Sequence, residues 1–410
     1  MEFLNIFEKT DNRCSMKSVS RIISIDIMRG LTLLLMLFVN DLNMKVAPAW
    51  LGHMKADYDG MGLADWVFPG FLFIVGMAIP FAISGRLKKG DPIYRVVIHI
   101  AIRTVSLLII GVLMLNSGRI NPETTGMGRN LWALLMYVSV FLVWNDYPRG
   151  RYNLLFLIMR AAGIAALIFL AIIFRSGTTE DPGWMITGWW GILGLIGWGY
   201  LVASLTYLVT HDSITGTAIA AIFFLAVNIM DASGLLGFLD PVRPVLGIII
   251  QGNVPLIVLT GMLAGALIRK MREAGHERIL MTLVTLGFLS LAIGFILRNW
   301  FIISKIMATP SWGMICSGIS FLVFALIYWL ADVRGLTKWA AVVRPAGKYS
   351  LTTYLAPDIL YHAIWMSAIP VLMYKQSSEP LIVITGSIAW ALLMAGLTAL
   401  LARINIKLKL

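Results

Sequence analysis

Long apolar runs alternate with short polar stretches along the whole of this chain. Twelve such runs fall at about 22–40, 63–84, 93–115, 128–144, 153–174, 184–209, 216–232, 242–268, 279–303, 312–332, 350–373 and 380–402. Most are long enough, at about 1.5 Å per residue, to cross a bilayer core as a helix. The ten-residue alternation that marks membrane barrel strands is missing. The pattern therefore predicts an all-α polytopic membrane helical bundle of about 12 transmembrane helices (10–12). Its loosest boundaries lie in 184–232, where "GWWGILGLIGWGY" also suits a partly re-entrant segment. In "IIIQGNVPLIVLTGMLAG", Gly252 and Pro255 predict a kink or a break.

Composition agrees with the pattern. The 410 residues are 59% hydrophobic and 13% charged, with a mean hydropathy of +0.83, well outside the range of a soluble globular chain. No stretch is long enough for a separate soluble domain, so the expected organisation is a tail at 1–21, one membrane domain at 22–403 and a tail at 404–410. No cleavable signal peptide is expected, and Met16 is an alternative start. The two cysteines, Cys14 and Cys316, are too far apart in the pattern to suggest a disulfide or a zinc site.

The net charge of +12 would suit a nucleic-acid partner, but its distribution points to the membrane. With the N-terminus placed in the cytoplasm, 21 lysines and arginines fall on the inner side and nine on the outer. The excess of cations inside sets the expected orientation, with both termini cytoplasmic. The first loop, 41–62, then faces outward.

Four groups of polar residues could carry chemistry. Asp26 and Arg29 share a helix face in "IDIMRG", as an interfacial ion pair or as an anchor for an anionic ligand. Arg95, His99 and Arg103 stand at i, i+4 and i+8, rising from the inner surface to about mid-bilayer. They read either as buried structural cations or as a basic ladder for a phosphorylated ligand, helped at the mouth by Arg86, Lys88 and Lys89. In the outward loop His53 is a candidate general base; flanking it, Asn40 at the outer end of the first span is an amide able to steady an oxyanion, and Asp65 at the start of the second a carboxylate able to fix the imidazole tautomer. Their plainer readings are a solvated histidine and a carboxylate favoured at a helix start. Asn253, Lys305 and the Asp358/His362 pair are polar residues in or beside apolar runs; interhelical hydrogen bonding or an interfacial cation would also explain them.

"RIISIDIMRGLTLLLMLFVND", a His-bearing loop and then "LADWVFPGFLFIVGMAI" resemble the opening of the heparan-α-glucosaminide N-acetyltransferase family. The likeness continues more weakly in "GNVPLIVLTGMLAG", "SKIMATPSW" and "GKYSLTTYL". The resemblance implies a transmembrane acyltransferase that moves acetyl from cytoplasmic acetyl-CoA to an acceptor across the membrane. By motif position it implies His53, Asn40 and Asp65 as catalytic residues, and Asn253 and Lys305 at substrate positions. Coenzyme A would lie along Arg95, His99, Arg103, Arg29, Lys88 and Lys89, with its thioester near Asn40 and His53. The implied partners are the lipid bilayer, acetyl-CoA and a sugar or cell-envelope glycan acceptor, with a homodimer left open and no nucleic acid or metal. A bacterial inner membrane is the implied location. The fourth span reads "RNLWALLMY" where the family has a Gln-Arg pair, and the span pair near 184–232 replaces a long lumenal insertion. The rival class is a secondary transporter or flippase, which would place its key charges at the midplane on broken helices in two related halves.

Overall fold

The computed structural model describes residues 22–148, 150, 152–367 and 372–410. The predicted tail at 1–21, with Cys14, and the inner arginines Arg149 and Arg151 lie outside the described residues. The first half of the chain holds α1 (Ile23–Asp41), α2 (Leu63–Lys88), α3 (Ile93–Ser117), the single turn α4 (Pro122–Thr125), α5 (Arg129–Trp144) and α6 (Asn153–Ile173). A small antiparallel hairpin, β1 (Ser176–Gly177) and β2 (Pro182–Gly183), then leads to α7 (Gly191–Thr210) and α8 (Ile214–Ala232). The second half comprises α9 (Arg243–Gln251), α10 (Asn253–Lys270), α11 (His276–Leu297), α12 (Pro310–Tyr328), the short α13 (Arg344–Lys348), α14 (Ser350–Ser367) and α15 (Pro380–Arg403). Among the described residues, ten helical segments are long and apolar enough to cross a membrane. The predicted spans at 128–144 and 350–373 correspond to α5, which is shorter, and α14, which carries Asp358 and His362. The molecule is an all-α polytopic helical bundle.

Several boundaries differ from the sequence reading for local reasons. The span expected from 184 starts only at Gly191, because Gly188 and Trp190 before it have positive φ, which a right-handed helix cannot accommodate. The predicted break at Gly252 is present: its φ of 72° separates α9 from α10. The span expected to run to 303 stops at Leu297, leaving 298–309 as an ordered loop.

Small residues set the closest helix crossings. A Cβ on Gly261 would lie 1.9 Å from the Phe73 carbonyl oxygen, and one on Gly265 2.4 Å from that of Met77. This small-xxx-small spacing lets α10 lie directly on the backbone of α2. The start of α1 is fixed from the other end of the chain, where the Asp332 carboxylate accepts from Ile23 N and Ser24 N, both at 3.0 Å. There the carboxylate satisfies two amide donors that the helix leaves free and complements its dipole. The short α13 packs on α1, with Gly347 against the Asp26 backbone and Gly30 against that of Val343. Lys348 is thereby carried to the same end of the bundle as Arg29.

Candidate active site

The two ends of the bundle carry different chemistry. At the first-loop end, the chain between α1 and α2 is tied to the 298–309 loop. Asp59 accepts from Ile303 N at 2.9 Å and pairs with Arg298 Nε at 2.9 Å. Gly60 N donates to the Ile303 carbonyl at 3.0 Å, and Ser304 Oγ to that of Ala56 at 2.9 Å. The hydrogen bond from Ile303, then the one from Arg298, hold the Asp59 carboxyl below its ordinary value despite an opposing desolvation.

This stitching brings His53, Asp65 and Lys305 together. Asp65, in the first turn of α2, is only 1% exposed. Its carboxylate accepts from Gly62 N at 3.0 Å and Met54 N at 3.1 Å, and lies 2.8 Å from His53 Nδ1. With three donors converging on it, Asp65 assigns the proton of the neutral imidazole to Nδ1 and makes Nε2 the accepting nitrogen. The His53 side chain is 49% exposed, so a solute can approach it. Lys305 Nζ lies 3.2 Å from Nδ1 and 3.5 Å from Nε2, and donates to the Ala64 carbonyl at 3.3 Å. Burial pushes the Lys305 ammonium below its ordinary value, with the Asp65 carboxylate pulling the other way. Trp312 Nε1 donates to the Asp65 carbonyl at 3.2 Å and anchors this turn of α2 against α12.

The other first-loop-end candidates are placed differently. Asn40 is exposed near the end of α1, where its side chain points away from the enclosed groups around it. Its neighbour Asp41, which the sequence reading passed over, is fully buried. It pairs with Lys375 Nζ at 2.6 Å and accepts from Tyr374 at 2.6 Å and from Tyr361. Asn253 is enclosed, with 0% exposure. Its amide nitrogen lies 3.1 Å from Asn228 Oδ1 and from the carbonyls of Ala308 and Thr309. It therefore braces the far side of the Lys305 loop from within the bundle.

At the opposite end, a cavity of about 340 Å³ enters between α1, α2, α3, α7 and α14. Its cations are Arg29, Arg103, Lys348 and Lys409, and Leu33, Met36, Phe71 and Leu107 line its apolar depth. Arg103 stacks over the Tyr200 ring at 4.5 Å, while its buried Nε has no hydrogen-bond partner. Arg29 also pairs with Asp26 at 3.5 Å. The predicted ladder does not enter this cavity as a unit. Arg95 is exposed and lies 5.9 Å from the Tyr94 ring centroid, His99 is half-buried, and neither lines the cavity. At about 100° per residue, an i, i+4, i+8 series drifts by about 80° around a helix, so only its last member faces inward. Lys88 and Lys89 are exposed beyond the wall. Lys348 and Lys409 were visible in the sequence only as part of the inner charge excess, because neither lies on a long periodic helix.

Residues 21–227 match the family described as Domain of unknown function (DUF5009). The human heparan-alpha-glucosaminide N-acetyltransferase is 36% identical over 96 residues, which is 23% of this chain and 14% of that protein. The mouse protein of the same name is 34% identical over 99 residues, 24% of this chain and 14% of that protein. The chain thus matches about a seventh of the length of these curated relatives. It belongs to the DUF5009 family and is a relative of the heparan-α-glucosaminide N-acetyltransferases.

Proposed function

We propose that this member of the DUF5009 family is a transmembrane acetyltransferase that takes acetyl from acetyl-CoA at one membrane face and delivers it to a sugar or glycan amine or hydroxyl at the other. The observation that carries the reading is the 2.8 Å contact between His53 Nδ1 and Asp65, which leaves Nε2 unprotonated on a half-exposed ring. An unprotonated imidazole nitrogen held in one tautomer is the general base that acyl transfer to an amine or hydroxyl requires. The cavity at the opposite end supports the donor side. Four cations and the partnerless Arg103 Nε suit a phosphorylated ligand, and the apolar depth beyond them suits an uncharged thioester arm.

In this mechanism His53 Nε2 takes a proton from the acceptor nitrogen or oxygen, which attacks the thioester carbonyl. Lys305 faces the developing oxyanion, the carbon–sulfur bond breaks, and the leaving thiolate receives the proton. Asp65 holds the imidazole in place and balances its charge. The acetyl group must cross the gap between the two ends: Phe71, the cavity residue closest to Asp65 on α2, is six residues from it, about 9 Å along the helix. A donor held by its phosphates at the cation-rich mouth, with a thin arm threaded past Phe71, satisfies that distance. The cation-rich mouth is taken as cytoplasmic and the His53 loop as exterior, which the inner excess of lysine and arginine supports.

The test is purified protein in lipid nanodiscs, supplied with acetyl-CoA and a panel of amino sugars, with free thiol and acetylated product both measured. Acceptor-dependent thiol release is expected, and His53→Ala is expected to abolish it while the protein remains folded. Full turnover in His53→Ala would defeat the reading.

A further inference from the structure

Residues 404–410 leave α15 and fold back across the end of the bundle. Lys409 N donates to the Trp144 carbonyl at 3.0 Å, and Asp146 N to that of Lys407 at 2.9 Å. Asn145 and Leu408 face each other as an antiparallel bridge, Lys407 N donates to Asn145 Oδ1 at 2.8 Å, and Leu408 N donates to Thr352 Oγ1 at 2.8 Å. Asp146 lies 3.9 Å from Lys407 Nζ and 3.8 Å from Lys409 Nζ. The same segment forms part of the cavity wall, since Leu408, Lys409 and Leu410 line it beside Lys348 and Tyr349.

We propose that residues 404–410 are a strap that gates this cavity, and that Asp146 is its release point. Three features lead there. The strap is held, among the described residues, by four hydrogen bonds to the bundle and by the packing of Leu408 and Leu410 rather than as part of a helix, so it can open while the helices stay in register. Its apolar residue Leu408 is buried and faces the cavity, so opening widens the entrance. Among the described residues its two lysines face one carboxylate, Asp146, at 3.8–3.9 Å, a loose pairing for which an entering polyanion competes directly. An anion that draws Lys409 from Asp146 would loosen the strap as it enters, and Lys409 would then close over the anion from the rim. This rests on the donor-site reading for the identity of the ligand, but the gating itself does not.

The experiment uses full-length protein in which Cys14 and Cys316 are replaced and Leu107→Cys supplies a thiol deep in the cavity. Its rate of modification by a small anionic thiosulfonate reads access. Adding Asn145→Cys and Leu408→Cys allows a disulfide, because facing residues of an antiparallel bridge stand within disulfide reach; mass mapping verifies the link. The expected result, read at position 107 alone by peptide mass mapping, is labelling at least tenfold slower with the strap locked, restored by brief reduction and removal of the reductant before labelling. Asp146→Asn, which needs no disulfide, is expected to label faster than the parent. Equal rates for locked and released strap, or for Asp146→Asn and parent, would overturn the gate. Protection by added coenzyme A is scored separately. If labelling follows the lock but coenzyme A gives no protection, the gate stands and the donor reading fails.

Discussion

A neutral imidazole acts as a base only through the nitrogen that carries no proton, so the partner of the other nitrogen decides what His53 can do. Asp65 makes that choice at 2.8 Å, and its two backbone donors prevent it from turning away. Asp65→Asn should accordingly leave donor affinity intact and lower turnover by up to about 10⁴-fold, the scale seen when a buried carboxylate loses control of a catalytic tautomer. Near-normal turnover in that variant would mean that Asp65 serves the helix start alone. Lys305 gives a pH prediction. Burial lowers its pKa, so it sheds its charge at a lower pH than a solvated lysine, whose value is about 10.4. If the cation steadies the oxyanion, kcat/KM falls as pH rises through that lowered value, and Lys305→Arg extends the plateau upward because guanidinium stays charged. An alkaline limb in the same place for Lys305→Arg would remove Lys305 from the chemistry. Sequence alone nominated His53, Asp65 and Lys305. It could not show that Lys305 touches an imidazole 252 positions away, since no periodicity links separate loops.

Loops this far apart in sequence need a device that holds them together, and here it is Asp59 with Arg298 and the Ile303 amide. The sign of its pH dependence follows from the lowered carboxyl of Asp59. Its contribution is fully present above the unfolded carboxylate value, about 3.9, and is lost as pH falls through the lower folded one. Asp59→Asn should therefore speed amide exchange across 298–309 at neutral pH and reduce activity, with little change in Tm because the helices do not depend on the clip. Unchanged exchange in that loop would show that the Ser304 and Gly60 hydrogen bonds suffice. A different variant should damage the helices themselves. Gly261→Val places a side chain where a Cβ already falls 1.9 Å from the Phe73 oxygen, so α10 must leave α2. Loss of folded protein is expected, seen as aggregation on size-exclusion chromatography, whereas Gly396→Ala, with open space around it, should be silent. Elements of this kind were readable because an apolar run long enough to span a bilayer has few alternatives. Less readable were α13, the β1–β2 hairpin and the 404–410 strap, which are too short for periodicity and are placed by contacts with distant residues.

At the scale of the molecule the decisive feature is separation. His53 sits on one end of the bundle and the cation-lined cavity opens at the other, with about one and two-thirds turns of α2 between Phe71 and Asp65. The charge asymmetry made this two-ended plan legible in the sequence. The membership of the cavity was not, because Arg29, Arg103, Lys348 and Lys409 come from four different segments. Separation makes a prediction that a single compact site would not. Arg103→Ala removes a charge-assisted contact and should weaken coenzyme A binding by about tenfold or more, with a shallower dependence on salt. His53→Ala should leave that affinity untouched, and the double variant should bind like Arg103→Ala alone, since distant sites without shared partners act independently. Calorimetry on the four proteins closes the cycle without needing turnover or a known acceptor. A loss of coenzyme A affinity in His53→Ala, or a coupling well above about 0.5 kcal/mol, would place both residues in one site. The bundle would then have to bring its ends together, and the 9 Å of α2 between them would no longer be the path along which acetyl must travel.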